Sequence, residues 1–481
     1  MDRDALLALS KDNLVEIILA QAAQISALLK RVAELEARLN APPKTPHNSS
    51  TPPSKGHKPN QPGRPGKPRR GRPGMARTLE PNPDRTIQAT LDACPHCRHA
   101  LGAADQPGIH AYDHVDLPPI KPIVTRIHRH RGVCPCCRKR VTAPAPEGFE
   151  PGSPFGPGLC ALIIHLHVTQ AVSFERLARL LSEVFGLTIS EGAIANILSR
   201  AATPLSAAAT TIANTVRQSP VVGSDETSAR VAGRTWWQWV LLSSTAICHI
   251  IADSRAASVV TTFMNGAQPG VWVADRYSGQ RGHGAARQMC LAHLPCCAQF
   301  AVDEGCTGFA PGFRALLLRA MAIGKRRDGL KDSTLAQYHA ALERRLDRLL
   351  AGTMPEPAAS RRLFRAMRRH RDDLFRFVRQ RDVPCTNNAC ERALRPSVIF
   401  RKVTGGFRAE WGANVYAAAA SVIATGRLHG LTALQALREA LDGRTVMQTP
   451  ERGGEKLWGD RGTRARCPLH FPDGASDVTA E

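Results

Sequence analysis

The segment of residues 219–277 constrains the fold most strongly, because its order of elements permits few arrangements. Three strand-like runs come first, PVVGSDE, TWWQWVLLSS and AICHIIA, and they are followed by a helix over residues 254–264 and a fourth strand, GVWVADRY. A β-β-β-α-β unit of this kind predicts a small mixed sheet in which the first and fourth strands lie adjacent. Asp225 and Asp275 stand at the ends of these two strands, so both carboxylates are expected at one edge of the sheet.

A third carboxylate would turn this pair into a catalytic site. An aspartate at a strand end is ordinarily a turn or cap residue, but two at matching ends of one unit indicate a shared role. Three carboxylates suit two Mg²⁺ or Mn²⁺ ions, which prefer oxygen ligands and promote reactions of phosphodiesters. The candidate is Glu391, on a later predicted helix; Glu226, expected on the opposite side of its strand, and Asp253, on another strand, are less suitable.

Glu391 also has an ordinary structural interpretation. It lies in the Arg-rich string CTNNACERALRP, where Asn388 would cap a short helix and Glu391 would return the bond in a capping box. Arg395, four residues further on, would form a surface ion pair with the same carboxylate. The string alone leaves the structural and the metal-binding interpretations open.

The charge of the chain favours a polyanionic partner. The 481 residues include 64 Lys and Arg against 41 Asp and Glu, a formal charge of +23, and nucleic acid is therefore expected. A chain of this length suits two to four domains of roughly 150 residues. No apolar run is expected to span a membrane, and the first residues lack the layout of a secretory signal, so we expect a cytoplasmic protein with no membrane partner.

Residues 10–40 carry a heptad pattern that predicts a coiled-coil helix. β-branched residues at a, with mostly Leu at d, favour a parallel two-stranded assembly and hence a homo-oligomer. The alternative is one amphipathic helix that docks on its own protein. The a positions are Ile18, Ile25, Val32 and Leu39, and the d positions are Leu14, Gln21, Leu28 and Leu35.

A basic Pro/Gly-rich linker is predicted over residues 41–78, since its composition cannot bury enough apolar surface to fold alone. Arg70 and Arg72, in the tetrapeptide RGRP, resemble the core of an AT-hook, whose arginines enter an A·T-rich minor groove. Non-specific attraction to phosphates is the alternative interpretation.

Residues 79–145 hold two CxxC knuckles, which predict a zinc-binding module. Paired knuckles can present four thiolates to one structural Zn²⁺, and the stretch VTRIHRHRGV between them is typical of a strand. Cys136 is a spare thiol that could replace a neighbour, so the fourth ligand is open. The expected ligands are Cys94, Cys97, Cys134 and Cys137.

Residues 155–217 are predicted to be helical. Two apolar-periodic helices divided by residues 186–188, with Ser190 as a cap, have the outline of a helix-turn-helix that could read DNA. Two consecutive helices of an all-α layer give the same outline.

The remaining segments complete a multidomain α+β chain. Residues 218–442 form the expected catalytic domain, and the 115 residues between its second and third acids imply a helical insertion at about 300–383, whose Lys and Arg suit phosphate contacts. Just after Asp275, four residues could form a second zinc site, although a helix packed beneath the acids is preferred. They are Cys290, His293, Cys296 and Cys297. Residues 443–481 are expected to be a disordered tail.

Four strings in this order resemble the IS66 family of bacterial insertion-sequence transposases: GSDETSARV, VADRYSG, CLAHLPCCAQF and TNNACERALRPSVIFRKVTGGF. The resemblance implies a ribonuclease-H-like core with a DDE triad at Asp225, Asp275 and Glu391. It also implies a supporting role for His293, in a Cys-x-Ala-His element. The family usually has Asp-Gly-Tyr at its second acid, whereas this chain has Arg276 in the middle position.

The resemblance further implies a DNA transposase that cuts transposon ends and joins the 3′-OH to target DNA by two-metal-ion phosphoryl transfer. Its partners would be both DNAs and accessory element-encoded proteins, in the bacterial nucleoid. A non-catalytic zinc-containing DNA-binding regulator and a nuclease acting on RNA–DNA hybrids are the alternatives. Supporting residues besides His293 are Asn387, Asn388, Arg392 and Arg395, and expected DNA contacts are Arg70, Arg72, Arg401 and Lys402.

Overall fold

The computed structural model describes residues 10–39, 42–45, 48 and 77–447. These residues form thirteen α-helices and two β-sheets, so the chain mixes α and β structure as expected. The chain divides into two compact units. The smaller unit holds the described residues within His57–Pro144 together with Ala178–Ile189, and the larger unit holds the rest. The predicted arginines Arg70 and Arg72, and most of the predicted linker and tail, lie outside the described residues.

The N-terminal helix α1 spans Lys11–Leu39 as one continuous helix. Five of its apolar heptad residues are exposed, namely Ile18, Ile25, Leu28, Val32 and Leu35; the side chain of Ile18, for example, is 62 % accessible. Within the described residues, the apolar face of this helix is therefore not docked on its own protein, as the alternative interpretation would require. Residues Lys11–Ala33 are long and apolar enough, by length and composition alone, to cross a membrane. The expectation that no run would reach that length is wrong for this helix.

The smaller unit is built around a two-stranded antiparallel hairpin of β1, Arg131–Val133, and β2, Arg140–Thr142. The predicted strand over VTRIHRHRGV is mostly wrong, because only its last three residues find a partner strand. Most of the preceding residues of the string are exposed; the side chain of Val124 is 88 % accessible.

The larger unit contains a five-stranded mixed sheet of order β5-β4-β3-β6-β7. The first three strands pair antiparallel, while β3 with β6 and β6 with β7 pair parallel. The predicted adjacency of the first and fourth strands is confirmed. The strands are β3 Val221–Val231, β4 Arg234–Leu242, β5 Ile247–Ala252, β6 Val271–Ala274 and β7 Ala286–Met289.

The β3–β4 hairpin differs from the sequence prediction. β3 continues past Asp225 to Val231, because β4 pairs with it along its whole length, from Gly223 with Leu242 to Val231 with Arg234. The two turn residues, Ala232 and Gly233, have φ angles of 47° and 75°, the left-handed values that a tight hairpin turn requires. Asp225 therefore lies inside β3, at the point where its pairing with β6 ends.

Helices surround the sheet. α5, Ala257–Met264, connects β5 with β6, and five helices between β7 and the segment of Glu391 confirm that the insertion is helical. They are α6 Leu294–Asp303, α7 Phe309–Arg326, α8 Asp332–Ala351, α9 Ala358–Arg369 and α10 Arg376–Arg379. Their apolar faces share one core with Val271, Val273 and Met289 of the sheet.

Three further helices close the larger unit: α11 Asn388–Thr404, α12 Glu410–Leu428 and α13 Ala433–Leu441. α13 starts with the predicted capping box of Thr432 and Gln435. The segment after α11 bonds to the tip of the β3–β4 hairpin, where the N–H of Phe407 donates to the Arg230 carbonyl at 2.8 Å and its own carbonyl accepts from Ala232. Gly406, with φ of 112°, is required there, since a Cβ would lie 2.6 Å from Arg230.

The predicted helical region before the sheet consists of α2 Pro157–Gln170, α3 Phe174–Phe185 and α4 Glu191–Arg217. The predicted cap is confirmed, as Ser190 Oγ accepts from the N–H of Ala193. α4 has 27 residues, contains Pro204 and packs against α12 and β5. Its buried face therefore serves the core of the larger unit, as in the all-α alternative to a recognition helix.

Candidate active site

Asp225 and Asp275 stand at equivalent positions on two adjacent parallel strands. Gly223 of β3 is in register with Val273 of β6, and each aspartate lies two residues further along its own strand direction. Side chains alternate along a strand, so both aspartates follow the same face of the sheet. The register of the two strands therefore supports the prediction that the two carboxylates lie at the same edge of the sheet.

Backbone N–H groups orient both carboxylates. The N–H of Glu226 donates to Asp225 Oδ1 at 2.9 Å, and the N–H of Tyr277 donates to Asp275 Oδ1 at 2.8 Å. Each carboxylate keeps its second oxygen outside these two bonds. The aspartates are thus held by the chain that immediately follows them, as short loops and bent strands often hold polar site residues.

Packing of α11 on the sheet brings Glu391 to the two aspartates. Ala389, Cys390 and Leu394 of the helix form a buried cluster with Val240 and other residues of β4 and β5. Val240 is the cross-strand partner of Asp225, so α11 covers the region of the sheet that carries the first acid. Glu391 lies in the first turn of α11, where the helix dipole favours a negative charge.

The Glu391 carboxylate is engaged by His293. Nε2 of His293, the residue just before α6, lies 3.0 Å from Glu391 Oε1. The hydrogen bond with Glu391 raises the pKa of His293, and the negative charges of Asp225 and Asp275 act in the same direction. The partner of Glu391 is therefore this imidazole rather than the predicted Arg395.

The capping box predicted for α11 is wrong, because the residue before the helix is Asn387 and its side chain forms no cap. Nδ2 of Asn387 instead donates to the carbonyl oxygen of Ser224 at 2.9 Å, and its N–H donates to Cys290 Sγ at 3.1 Å. Asn388 is the first helical residue and is half-buried. Asn387 thus connects α11 to the sheet.

Burial and repulsion from neighbouring acids dominate the electrostatics of Asp225. Burial raises the pKa of Asp225 to about 8, with smaller contributions from the neighbouring charges of Glu226, Asp275 and Glu391. Three carboxylates at one place favour a cation, since each disfavours the ionised form of the others. The site therefore calls for positive charge.

The residues around Asp225 fit a hard divalent cation in their chemistry. The donors are carboxylate oxygens, and two further oxygens, Ser224 Oγ and Asn387 Oδ1, are buried without a hydrogen-bond partner. Oxygen ligands of this kind suit Mg²⁺ or Mn²⁺. Across the described residues, however, no three His, Cys, Asp or Glu side chains stand close enough to hold one ion. Asp275 and Glu391 are near enough to act electrostatically on Asp225, and Glu391 is hydrogen-bonded to His293.

Glu226 belongs to a separate buried network. Its side chain is only 2 % accessible and forms an ion pair with Arg255 Nη2 at 2.7 Å, while Gln280 Nε2 donates to its other oxygen at 2.7 Å. The Arg255 guanidinium is sandwiched between the rings of Trp237, at 4.6 Å, and Tyr277, at 3.9 Å. This network fixes the loop after Asp275 to β3, and nothing in the sequence around Arg255 signals it.

Arg276, the residue that departs from the family pattern, does not direct its positive charge at the acids. The Arg276 side chain is exposed, and its Nη2 lies 3.4 Å from Cys297 Sγ of α6. The neighbouring thiol of Cys290 is buried, and burial raises its pKa to about 12. A neutral thiol is a poor metal ligand, which agrees with the packing role preferred for Cys290 from the sequence.

The basic residues predicted on α11 have two different environments. Arg392, Arg395 and Lys402 are exposed. Arg401 is instead engaged with β3, where its Nη1 donates to Ser228 Oγ at 2.6 Å. Three of the four side chains are therefore accessible on the helix that carries Glu391, whereas Arg401 holds the last turn of α11 on the sheet.

The two CxxC knuckles have the same local geometry. In each, the backbone N–H groups inside the turn lower the pKa of the first cysteine: those of Cys97 and then His96 for Cys94, and those of Cys137 and then Cys136 for Cys134. The residues after the second cysteines, Arg98 and Arg138, have φ angles of 59° and 58°. Each turn is thus preorganised for a thiolate pair, but among the described residues the pairs are not assembled into one group of ligands. The zinc site stays a prediction.

Comparison with known proteins identifies one family. The model of the family described as "Transposase IS66 family" matches residues 152–415, which include the five-stranded sheet, the inserted helices and α11. No protein of curated function matches the chain.

Proposed function

Because this chain belongs to the IS66 transposase family, we propose that it is a DDE transposase that cuts the ends of a mobile DNA element and joins them to target DNA. The observation that carries the proposal is the register of Asp225 with Asp275 on adjacent strands, with Glu391 packed beside them. Accessory proteins encoded by the element would be further partners, as the family resemblance implies.

A ribonuclease-H-like catalytic core is part of the proposal. The sheet has the strand order β5-β4-β3-β6-β7. Strands β5, β4 and β3 pair antiparallel, and β6 and β7 run parallel to β3. The two aspartates then lie on the central strand and its parallel neighbour, while Glu391 comes from a helix that follows a helical insertion. This arrangement supports the expected fold, since it places the first two acids together through sheet register alone.

We infer that Asp225, Asp275 and Glu391 hold two Mg²⁺ or Mn²⁺ ions, which supply Lewis-acid activation of the attacking oxygen and stabilisation of the leaving one. The residues of the chain orient this site. The N–H groups of Glu226 and Tyr277 fix the two aspartates, and His293 holds Glu391. Asn387 fixes the distance of α11 from β3.

The reaction needs no covalent protein–DNA intermediate. Water attacks the scissile phosphodiester and frees a 3′-OH at the transposon end. This hydrolysis breaks one phosphodiester and leaves a 5′-phosphate on the flanking DNA. The 3′-OH then attacks a target phosphodiester in the same site, and in this second step one phosphodiester is made for the one that is broken. The exposed Arg392, Arg395 and Lys402 are suitably placed on α11 to contact the phosphates on either side.

Two further components are proposed with the catalytic core. The CxxC turns of the smaller unit would hold a structural Zn²⁺ through Cys94, Cys97, Cys134 and Cys137, because each turn lowers the pKa of its first thiol. The exposed heptad face of α1 would pair with that of a second copy.

Metal-dependent nicking tests the proposal. A labelled duplex that carries the ends of the element is incubated with the full chain and Mg²⁺ or Mn²⁺, and we expect strand breaks that leave 3′-OH ends and cease with chelator. A non-catalytic regulator would shift the duplex without cutting it. A hybrid-specific nuclease would cut an RNA–DNA duplex and leave the DNA duplex intact. Either result would contradict the proposed transposase activity.

A further inference from the structure

An open cavity lies at the β7 edge of the sheet, and one of its lining residues, Arg287, donates a hydrogen bond to the carbonyl oxygen of Asp275. It has a volume of about 350 Å³ and is bordered by the glycine-rich loop before β7 and by residues 370–376. Its charged and titratable lining residues are Arg281, Arg287, His370, Asp373 and Arg376. None of these residues belongs to the acidic site.

The cavity carries a surplus of positive charge. Asp373 is its only carboxylate, and it is shared between His370 Nδ1 at 3.0 Å and Arg287 Nη1 at 3.9 Å. In the described part of the chain, neither Arg281 nor Arg376 forms an ion pair with an acid. Like charges that are held close together repel one another, and an anion between them offsets this repulsion. The charges that line the cavity therefore favour an anionic ligand.

Arg287 is a buried arginine that is incompletely satisfied. Its side chain is only 10 % accessible, and its Nη2 donates to the carbonyl oxygen of Asp275. Its Nε is buried without a hydrogen-bond partner. A buried donor without an acceptor is costly, and an anion bound beside Arg287 would offset the positive charge of its guanidinium.

The loop that presents these arginines is closely packed on β6. A Cβ on Gly284 would lie 3.0 Å from the backbone nitrogen of Trp272 and 3.1 Å from the carbonyl oxygen of Pro269. Gly282 has a φ of 80°, which favours glycine. The loop is therefore held against the strand that leads to Asp275, and it positions Arg281 on one side and Arg287 on the other.

We propose that this cavity binds a backbone phosphate of the DNA strand, next to the phosphate that is cut at Asp225, Asp275 and Glu391. Arginine is the side chain whose planar fork best matches phosphate oxygens. Arg281 and Arg376 bind the phosphate, while Arg287 positions the site by linking it to the main chain of Asp275. The inference rests on the proposed function, because it assigns to the DNA substrate a second point of attachment beside the catalytic one.

Binding measured without divalent metal tests the inference, since cleavage is then absent. The full chain is titrated with a fluorescent duplex that carries the element's ends, at several salt concentrations. For the double variant Arg281→Gln and Arg376→Gln we expect about tenfold weaker binding and a salt slope reduced by about one. Arg234→Gln, which changes an exposed arginine at the beginning of β4, is the matched control and should leave both quantities unchanged. Arg281→Gln alone, at an exposed position, provides a variant that leaves the fold intact.

Two results would overturn the inference. The first is a double variant, and a single variant, that bind the duplex with wild-type affinity and salt slope. The second is binding of inorganic phosphate or a nucleoside monophosphate that disappears in the double variant while duplex binding is unchanged, because the cavity would then serve a free phosphate compound. Neither result bears on nicking by the wild-type chain, so the proposed function stands or falls separately.

Discussion

The side-chain amide of Asn387 donates a 2.9 Å hydrogen bond to the carbonyl oxygen of Ser224, and thereby ties the helix of Glu391 to the strand of Asp225. Asn387 is 1 % accessible, so its loss leaves a buried carbonyl without a donor. For Asn387→Ala we expect about 2 kcal/mol less unfolding free energy and slower nicking. Urea denaturation and the nicking assay measure both. Asn388→Ala, at the half-buried next position, should change little; equal effects in the two variants would contradict the prediction.

Neutral replacements of the three acids should separate cleavage from binding. For Asp225→Asn, Asp275→Asn and Glu391→Gln we expect nicking and strand transfer to fall at least about a thousandfold, since each removes a charge that stabilises the reacting centre. Duplex affinity without metal should stay near the wild-type value. Asp253→Asn, at an exposed position after β5, is the control. Full activity in any of the three variants would exclude that residue from the site.

The buried Glu226 should make Arg255 important for stability. For Arg255→Met we expect a loss of about 2 kcal/mol in the free energy of unfolding, because a carboxylate that is 2 % accessible loses its counter-charge. Adding Glu226→Gln to the same chain should restore part of the loss, as the charge disappears. Urea denaturation of the variants checks this, with Arg234→Met, at the exposed beginning of β4, as control. No recovery in the double variant would show that the rings around Arg255 matter more than the ion pair.

A buried histidine gives a pH dependence of stability. Burial lowers the pKa of His249 to about 4, and its Nδ1 lies 3.3 Å from Gln238 Nε2, which donates to the neutral ring. The unfolded chain, with a histidine pKa near 6.5, binds this proton more readily. The stabilisation is therefore complete above about pH 6.5 and decreases as the pH falls toward 4, by on the order of 3 kcal/mol.

Comparison with His249→Asn isolates that effect from other titrating groups. Unfolding free energies of the two proteins are measured by urea denaturation between about pH 4 and pH 7. We expect the wild type to lose more stability than the variant across this interval. Parallel curves would show that His249 takes no part in the pH dependence.

The exposed heptad face of α1 should mediate self-association. Ile18 and Ile25 are 62 % and 57 % accessible, and a charge at these a positions would be buried in a coiled coil. We expect the wild type to be an oligomer by light scattering, and Ile18→Glu with Ile25→Glu to approach the monomer mass of 52.1 kDa. Leu19→Glu, an equally exposed position outside the a and d set, should remain oligomeric. A monomeric wild type would refute the coiled coil.

The sequence predicted the order of the elements from β3 to β6 and the adjacency of β3 and β6, because local patterns specify them. Strand-like runs bounded by glycine and polar turns predicted β4 to β6 and α5 close to their observed bounds, and the capping residues Ser190 and Thr432 marked two helix starts correctly. The end of β3 was wrong, since polar residues from Glu226 onward resemble a turn. They remain extended because β4 continues to pair with them.

The parts that were not predicted depend on distant partners. β7 is a four-residue strand in which Gln288 is fully buried, and it is stable there because its amide bonds to the backbone of Leu374 and Phe377. The partner of Asn387 lies 163 residues away, and that of Glu226 lies 29 residues away. No periodicity or short motif records such pairings, so only the folded chain reveals them.

α11 is fastened to β3 at both of its ends: by Asn387 to Ser224 before its first turn, and by Phe407 to the hairpin tip after its last. The spacing between the first and third acids is therefore independent of the long stretch of chain that separates them. Helices α7 to α10 nevertheless share their core with the sheet, so they cannot be removed without exposing it. The exposed turn between α8 and α9, at residues 351–354, is the place where added residues would leave both that core and the catalytic spacing unchanged.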